Sequence, residues 1–167
     1  MAHSVALFLH SLLRWVTVAF AVVVCVRSYG GMRENRPVTQ ADNRLAIFFV
    51  TSVDLQWLVG VVLYVFLSPI TMLFFASPGT EMKNAVVRFY GVEHITLMMI
   101  AFVVVHVARV RSKRREAAAS HRQLFIGAIV FLVLVAAAMP WPGRAAGRPL
   151  FRSPVSANAI SCSFGSA

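Results

Sequence analysis

Four stretches of about 20 mostly apolar residues divide this chain and leave room for little else. They run roughly over 5–26, 45–67, 86–108 and 123–139. Within lipid only helices and closed barrels satisfy every backbone group. Barrel strands alternate apolar and polar residues, and these segments do not alternate. The sequence therefore predicts an all-α fold, an integral membrane four-helix bundle. Composition points the same way. Of the residues, 59% are hydrophobic and 13% are charged, with a mean hydropathy of +0.74, whereas a soluble domain carries about a quarter charged residues. A chain of 167 residues fills one bundle and no second domain. Residues 1–151 form the predicted transmembrane domain. Residues 152–167, rich in Ser, Ala and Gly, are expected to be disordered.

The net charge of +10 is distributed as membrane proteins distribute it, in short basic runs between apolar segments. The expected partner is the lipid bilayer, not nucleic acid. The first connection carries Arg27, Arg33, Arg36 and Arg44. The third carries Arg109, Arg111, Lys113, Arg114, Arg115 and Arg122. The other side has Lys83, Arg144, Arg148 and Arg152, with Arg88 at the boundary. The positive-inside rule puts the first and third connections in the cytoplasm and both termini outside. Cys25 and Cys162 then lie on opposite sides and do not pair, and neither belongs to a CxxC or CxxCH motif. The first apolar run lacks a basic start and a small-residue cleavage site, so it is expected to stay as a helix. Thr39 or Asp42 is the expected cap of the second span. Ser68-Pro69 should end that span, and Pro140-Trp141-Pro142 the fourth.

Ionisable residues at membrane depth are costly and mark function or structural pairing. Here they are Arg14, Asp54, Glu93 and His94, with His10 in the outer part of the first span. On a rise of about 1.5 Å per residue, His10, Gly60 and His94 fall at about 8–11 Å from the outer ends, Arg14 at about 15 Å and Asp54 near about 20 Å. His10, Arg14, Thr17 and Ala21 form one polar or small stripe that should face inward. Gln56, Gly60 and Tyr64 form another at spacing four. Gly91 and His94 share a face of the third span. Asp54 sits nearly opposite Gln56, so it needs a separate partner in the bundle or from another chain.

Two readings of this cluster stay open. In one, His10 and His94 ligate the iron of a haem b, with Gly60 and Gly91 making room for a flat macrocycle. Arg14 then pairs with a propionate or with Glu93. In the other, His10, Arg14, Glu93 and His94 form a hydrogen-bond and ion-pair network that fixes helix packing. Five histidines make a chance match in depth unsurprising. His3, His106 and His121 read as interfacial residues, although His106 leaves room for a second haem. The methionines read as packing. Arg111 to Arg115 also suits anionic lipid. No P-loop, GxSxG or HExxH is present.

Several short motifs stand in order along the chain. They are His10-Ser11-Leu12-Leu13-Arg14-Trp15, Asp42-Asn43-Arg44-Leu45-Ala46 and the run from Gln56-Trp57-Leu58 to Gly60 and Tyr64. Met82-Lys83-Asn84, Arg88-Phe89, Val92-Glu93-His94 and Pro140-Trp141-Pro142 follow. Over residues 5 to 151 the chain resembles a family of small four-helix bacterial membrane proteins labelled "cytochrome B". That resemblance implies haem-based electron transfer in the bacterial inner (plasma) membrane. It also marks a departure: relatives often carry a histidine two residues before the Gln of the second helix, where this chain has Asp54. If that histidine is a ligand, one site is altered; if His10 and His94 are the ligands, nothing is lost.

Three functions follow from these features. The first is a haem b electron carrier, exchanging electrons with a quinone. The second is a non-catalytic subunit of a larger respiratory or photosynthetic membrane complex, motivated by small size and the face carrying Asp54. The third is a proton or small-solute conduit using Arg14, Asp54, Glu93 and His94, for which four helices leave little room. None of them makes the chain a stand-alone enzyme.

Overall fold

A computed structural model of the chain describes residues 2–148. Expectations for residues 152–167, including Cys162 and Arg152, lie outside the described residues. Among those residues every regular element is helical. Two long helices, α1 (Ala2–Arg33) and α2 (Gln40–Val62), lead into three short ones, α3 (Pro69–Ala76), α4 (Pro78–Glu81) and α5 (Ala85–Arg88). Two more long helices follow, α6 (His94–Lys113) and α7 (Ala117–Ala138). Wide π-helical turns at Leu63–Leu67 and Phe89–Glu93 extend α2 and join α5 to α6. The result is four rods long and apolar enough to cross a membrane, Ala2–Arg33, Gln40–Leu67, Ala85–Lys113 and Ala117–Ala138.

The rods run past the apolar stretches because polar residues near their ends are buried in helix contacts. Ser112 and Ser120 lie 2.8 Å apart by their hydroxyls and tie the end of α6 to the start of α7. The fourth helix therefore starts at Ala117, six residues before the apolar run indicates. At its other end α7 stops at Ala138, before Pro140, and Trp141 Nε1 donates to the Ala136 carbonyl at 2.8 Å.

α1 packs along both α2 and α7, and α7 packs along α6, whereas α2 and α6 touch over less of their length. The bundle thus has a looser seam between α2 and α6. Its core comprises Ala21, Val24, Ala46, Phe49, Val53, Ala101, Val105, Leu124, Ala128, Phe131, Val135 and Met139. Phe49 and Phe131 meet edge to face with centroids 5.3 Å apart, a favoured aromatic geometry. Gly127 lets α7 approach α6 closely, since a Cβ there would collide with that of Ala108.

Asp42 joins the first two helices at their basic connection. Thr39 is the N-cap of α2: its hydroxyl accepts from the Asp42 N–H, and its own N–H donates to Asp42 Oδ2 at 3.0 Å. This reciprocal capping box satisfies two otherwise orphaned donors. Arg27, late in α1, reaches Asp42 at 2.9 Å, and Arg36 reaches it at 2.5 Å. The hydrogen bond to Asp42 holds the Arg36 guanidinium above its ordinary value. Arg109 of α6 donates to Asn43, which ties the third rod to the same corner.

Candidate functional site

The stripe expected on α1 forms. Thr17 and Ala21 are fully buried, and Val24, Ser28 and Gly31 continue the same face. Thr17 donates to the Ser52 carbonyl of α2 at 3.2 Å, so this face meets α2 directly. One and two turns further out lie Arg14 and His10. The opposing stripe on the second rod also forms. Gln56 Nε2 lies 3.2 Å from His10 Nε2, and a Cβ on Gly60 would fall 3.2 Å from His10 Cε1. Gly60 therefore makes the notch that admits the His10 ring. Tyr64 closes the stripe by donating to the Gly91 carbonyl at 2.7 Å.

His10 and His94 come together. Their ring centroids stand 6.4 Å apart with the planes at 67°. His94 Nδ1 lies 2.9 Å from the Ala138 carbonyl. A carbonyl only accepts, so Nδ1 carries a proton, and in the neutral ring Nε2 keeps its lone pair. The pair is flanked by Phe89 and Tyr90, whose rings lie 5.9 and 6.2 Å from that of His94. His10 Nδ1 and Gln56 Oε1 are both buried without a hydrogen-bond partner. Buried polar groups are almost always paired, so these two atoms mark an incomplete polar site beside His10.

The structure separates other residues that the sequence grouped. Glu93 does not reach Arg14. Its carboxylate takes the Nε–H of Arg88 at 2.8 Å, with both side chains almost half exposed. The cause is the π-helical turn at Phe89–Glu93, which aligns residues five apart and turns Glu93 outward. Arg14 instead donates to Ser11 at 3.4 Å and lies 5.4 Å from the centre of the Trp15 ring. Gly91 does not face an open slot either. A Cβ there would fall 2.7 Å from Phe74 of α3, whose ring occupies the notch. A cavity of about 200 Å³ beside Glu93 is lined by Arg88, Phe89, Pro140 and Arg144, among others, and its lining includes neither histidine.

Asp54 finds its partner inside the chain, so it does not require a second one. Its Oδ1 lies 3.1 Å from His106 Nε2 across the seam between α2 and α6. His106, read from the sequence as interfacial, is the side chain that pairs with Asp54. His121 differs more sharply from expectation. It is completely buried, neither ring nitrogen has a partner, and its ring rests on Gly31 of α1. No local signal marks this contact, because Gly31 and His121 lie in different spans. Both π-helical turns were also invisible to a fixed 3.6-residue period, although they carry Tyr64, Gly91 and Glu93.

No family model, curated protein or solved structure matches the chain. Among the described residues no three metal-ligating side chains gather, so a bare ion site is not built. Two imidazoles do converge. They come from different helices, with ring centroids 6.4 Å apart. An imidazole nitrogen is a donor that haem iron accepts. The clearance expected of the glycines is not open, since His10 fills the Gly60 notch and Phe74 fills that of Gly91.

Proposed function

We propose that this chain is a cytochrome b-like membrane protein in which His10 and His94 hold a haem b for electron transfer. The observation carrying this reading is the 6.4 Å separation of two imidazoles presented by different helices. Bound haem b would supply a one-electron redox centre. The rest is the work of the chain. The Ala138 carbonyl fixes the tautomer of His94 and raises its basicity as a ligand. Gln56 orients His10 from the second rod, and its amide can turn to donate or accept. Gly60 gives the His10 ring its position. Arg14, one turn from His10, is the cation on the same helix that would pair with a propionate. Phe74 is the group that must leave the Gly91 notch for a macrocycle to approach.

The motif-level likeness to the "cytochrome B" proteins supports the same reading, with the chain in a bacterial inner membrane. Ten basic residues in the first and third connections support cytoplasmic placement of those connections, with both termini outside. The electron partner in this reading is a lipid-soluble quinone or a larger membrane complex. Protein purified after expression with adequate haem should show a Soret band and a reducible alpha band. A preparation that is folded, supplied with haem and colourless overturns the proposal.

A further inference from the structure

Asp54 and His106 lie on the outside of the bundle, in the seam where α2 and α6 pack least closely. Their side chains are 47% and 37% exposed, so they are not shielded as a core pair would be, and Asp54 falls inside the second apolar stretch. An unpaired charge at such a position is expensive. The hydrogen bonds of His106 determine how many protons the pair holds. Its Nδ1 lies 2.9 Å from the Phe102 carbonyl, which can only accept, so Nδ1 carries a hydrogen. Its Nε2 lies 3.1 Å from Asp54 Oδ1. A lone pair on Nε2 facing an ionised carboxylate oxygen at that distance is repulsive. One proton must therefore sit between them.

We infer that Asp54 and His106 form a proton-binding site in the apolar belt, with one proton shared between Asp54 Oδ1 and His106 Nε2. The ligand is the proton itself. The dyad is electroneutral wherever that proton rests, as carboxylic acid beside imidazole or as carboxylate beside imidazolium. Losing it leaves a net negative charge in the belt, and gaining another leaves a net positive one; both are penalised there. Along α2 and α6 the neighbouring charged groups Asp42 and Arg109 have partners of their own. On α6, Arg109 lies one turn from His106 but donates to Asn43. On α2, Asp42 is three turns away and holds Arg27 and Arg36. Among the described residues, the ion pair recorded for Asp54 and for His106 is the other member. Aromatic groups frame the dyad, with Phe102 tilted against His106 at 4.2 Å between ring centroids and Trp57 5.3 Å from Phe102. They keep the His106 ring in place without adding charge.

This inference does not depend on haem. Solid-state NMR on the full chain in lipid bilayers, with labelled aspartate carboxyl and histidine ring nitrogens, counts the protons directly. The chain has only two aspartates, Asp42 and Asp54, so an Asp–His cross-signal identifies the dyad in the unmodified protein. Asp54→Asn should abolish that signal. The expected result at pH 7 is either a protonated Asp54 carboxyl beside a singly protonated His106, or an ionised Asp54 beside a doubly protonated ring. An ionised Asp54 beside a His106 carrying a single N–H overturns the inference, as does the absence of any Asp–His cross-signal.

Discussion

His94 donates from Nδ1 to the Ala138 carbonyl at 2.9 Å, which leaves its Nε2 lone pair as the ring's free donor toward a metal. On the other helix, His10 is held by Gln56 at 3.2 Å. Each ring is thus held by a neighbouring helix, in the way that outer hydrogen bonds orient metal-binding imidazoles.

The Gln56 contact carries a stability consequence. Gln56→Leu strips His10 of its hydrogen-bond partner while the ring stays buried. Leaving a buried polar group unsatisfied costs about 1–3 kcal/mol. Denaturant unfolding of the haem-free protein in detergent should show a loss of that size. Unchanged stability would mean that the His10–Gln56 bond does not hold α1 to α2.

A second consequence concerns His121. A Cβ at Gly31 would fall 2.5 Å from His121 Nε2, and the buried ring has little space in which to retreat. Gly31→Ala should destabilise the bundle by about 1–3 kcal/mol through overpacking. Adding His121→Ala should recover much of that loss, a coupling of at least about 1 kcal/mol in a double-mutant cycle. Additive effects would show that the two residues do not share one contact.

The four rods were legible because each needs only a run of apolar residues, and the inward stripe from Thr17 to Ala21 because a straight helix keeps its period. Glu93 was misplaced because the period fails there. The π-helical turn rotates it onto Arg88, five residues back. Asp54 and His106 were set at separate depths by counting from helix ends, whereas side chains leaning toward their helix N-termini bring them to 3.1 Å. Gly91 read as free space because the sequence does not say that Phe74 of α3 fills it. Long-range partners of this kind need the packed bundle.

Phe74 supplies a test that separates binding space from donor chemistry. If the notch at Gly91 must open to admit a macrocycle, Phe74→Ala removes the competing ring. Its apparent haem affinity in a titration of the haem-free protein should rise roughly tenfold, equivalent to about 1.4 kcal/mol. An unchanged or weaker affinity would mean that haem does not enter on that side.

Orientation can be checked by labelling. In a background with Cys25→Ala and Cys162→Ala, Gly79→Cys and Glu34→Cys place single thiols at the two ends of the bundle. Gly79 has open space around an added Cβ, and Glu34 is 68% exposed. A membrane-impermeant maleimide applied to intact spheroplasts should label the first and spare the second until the membrane is permeabilised. The opposite pattern would reverse the assigned topology.

The most direct test of the haem assignment is a reduced-minus-oxidised spectrum of the unmodified protein beside His10→Ala, His94→Ala and His121→Ala, all loaded with haem under the same conditions. The account predicts a low-spin signal in the unmodified protein and in His121→Ala, lost in both of the other variants. A signal that survives His10→Ala or His94→Ala, or a folded protein that never acquires one, would contradict it.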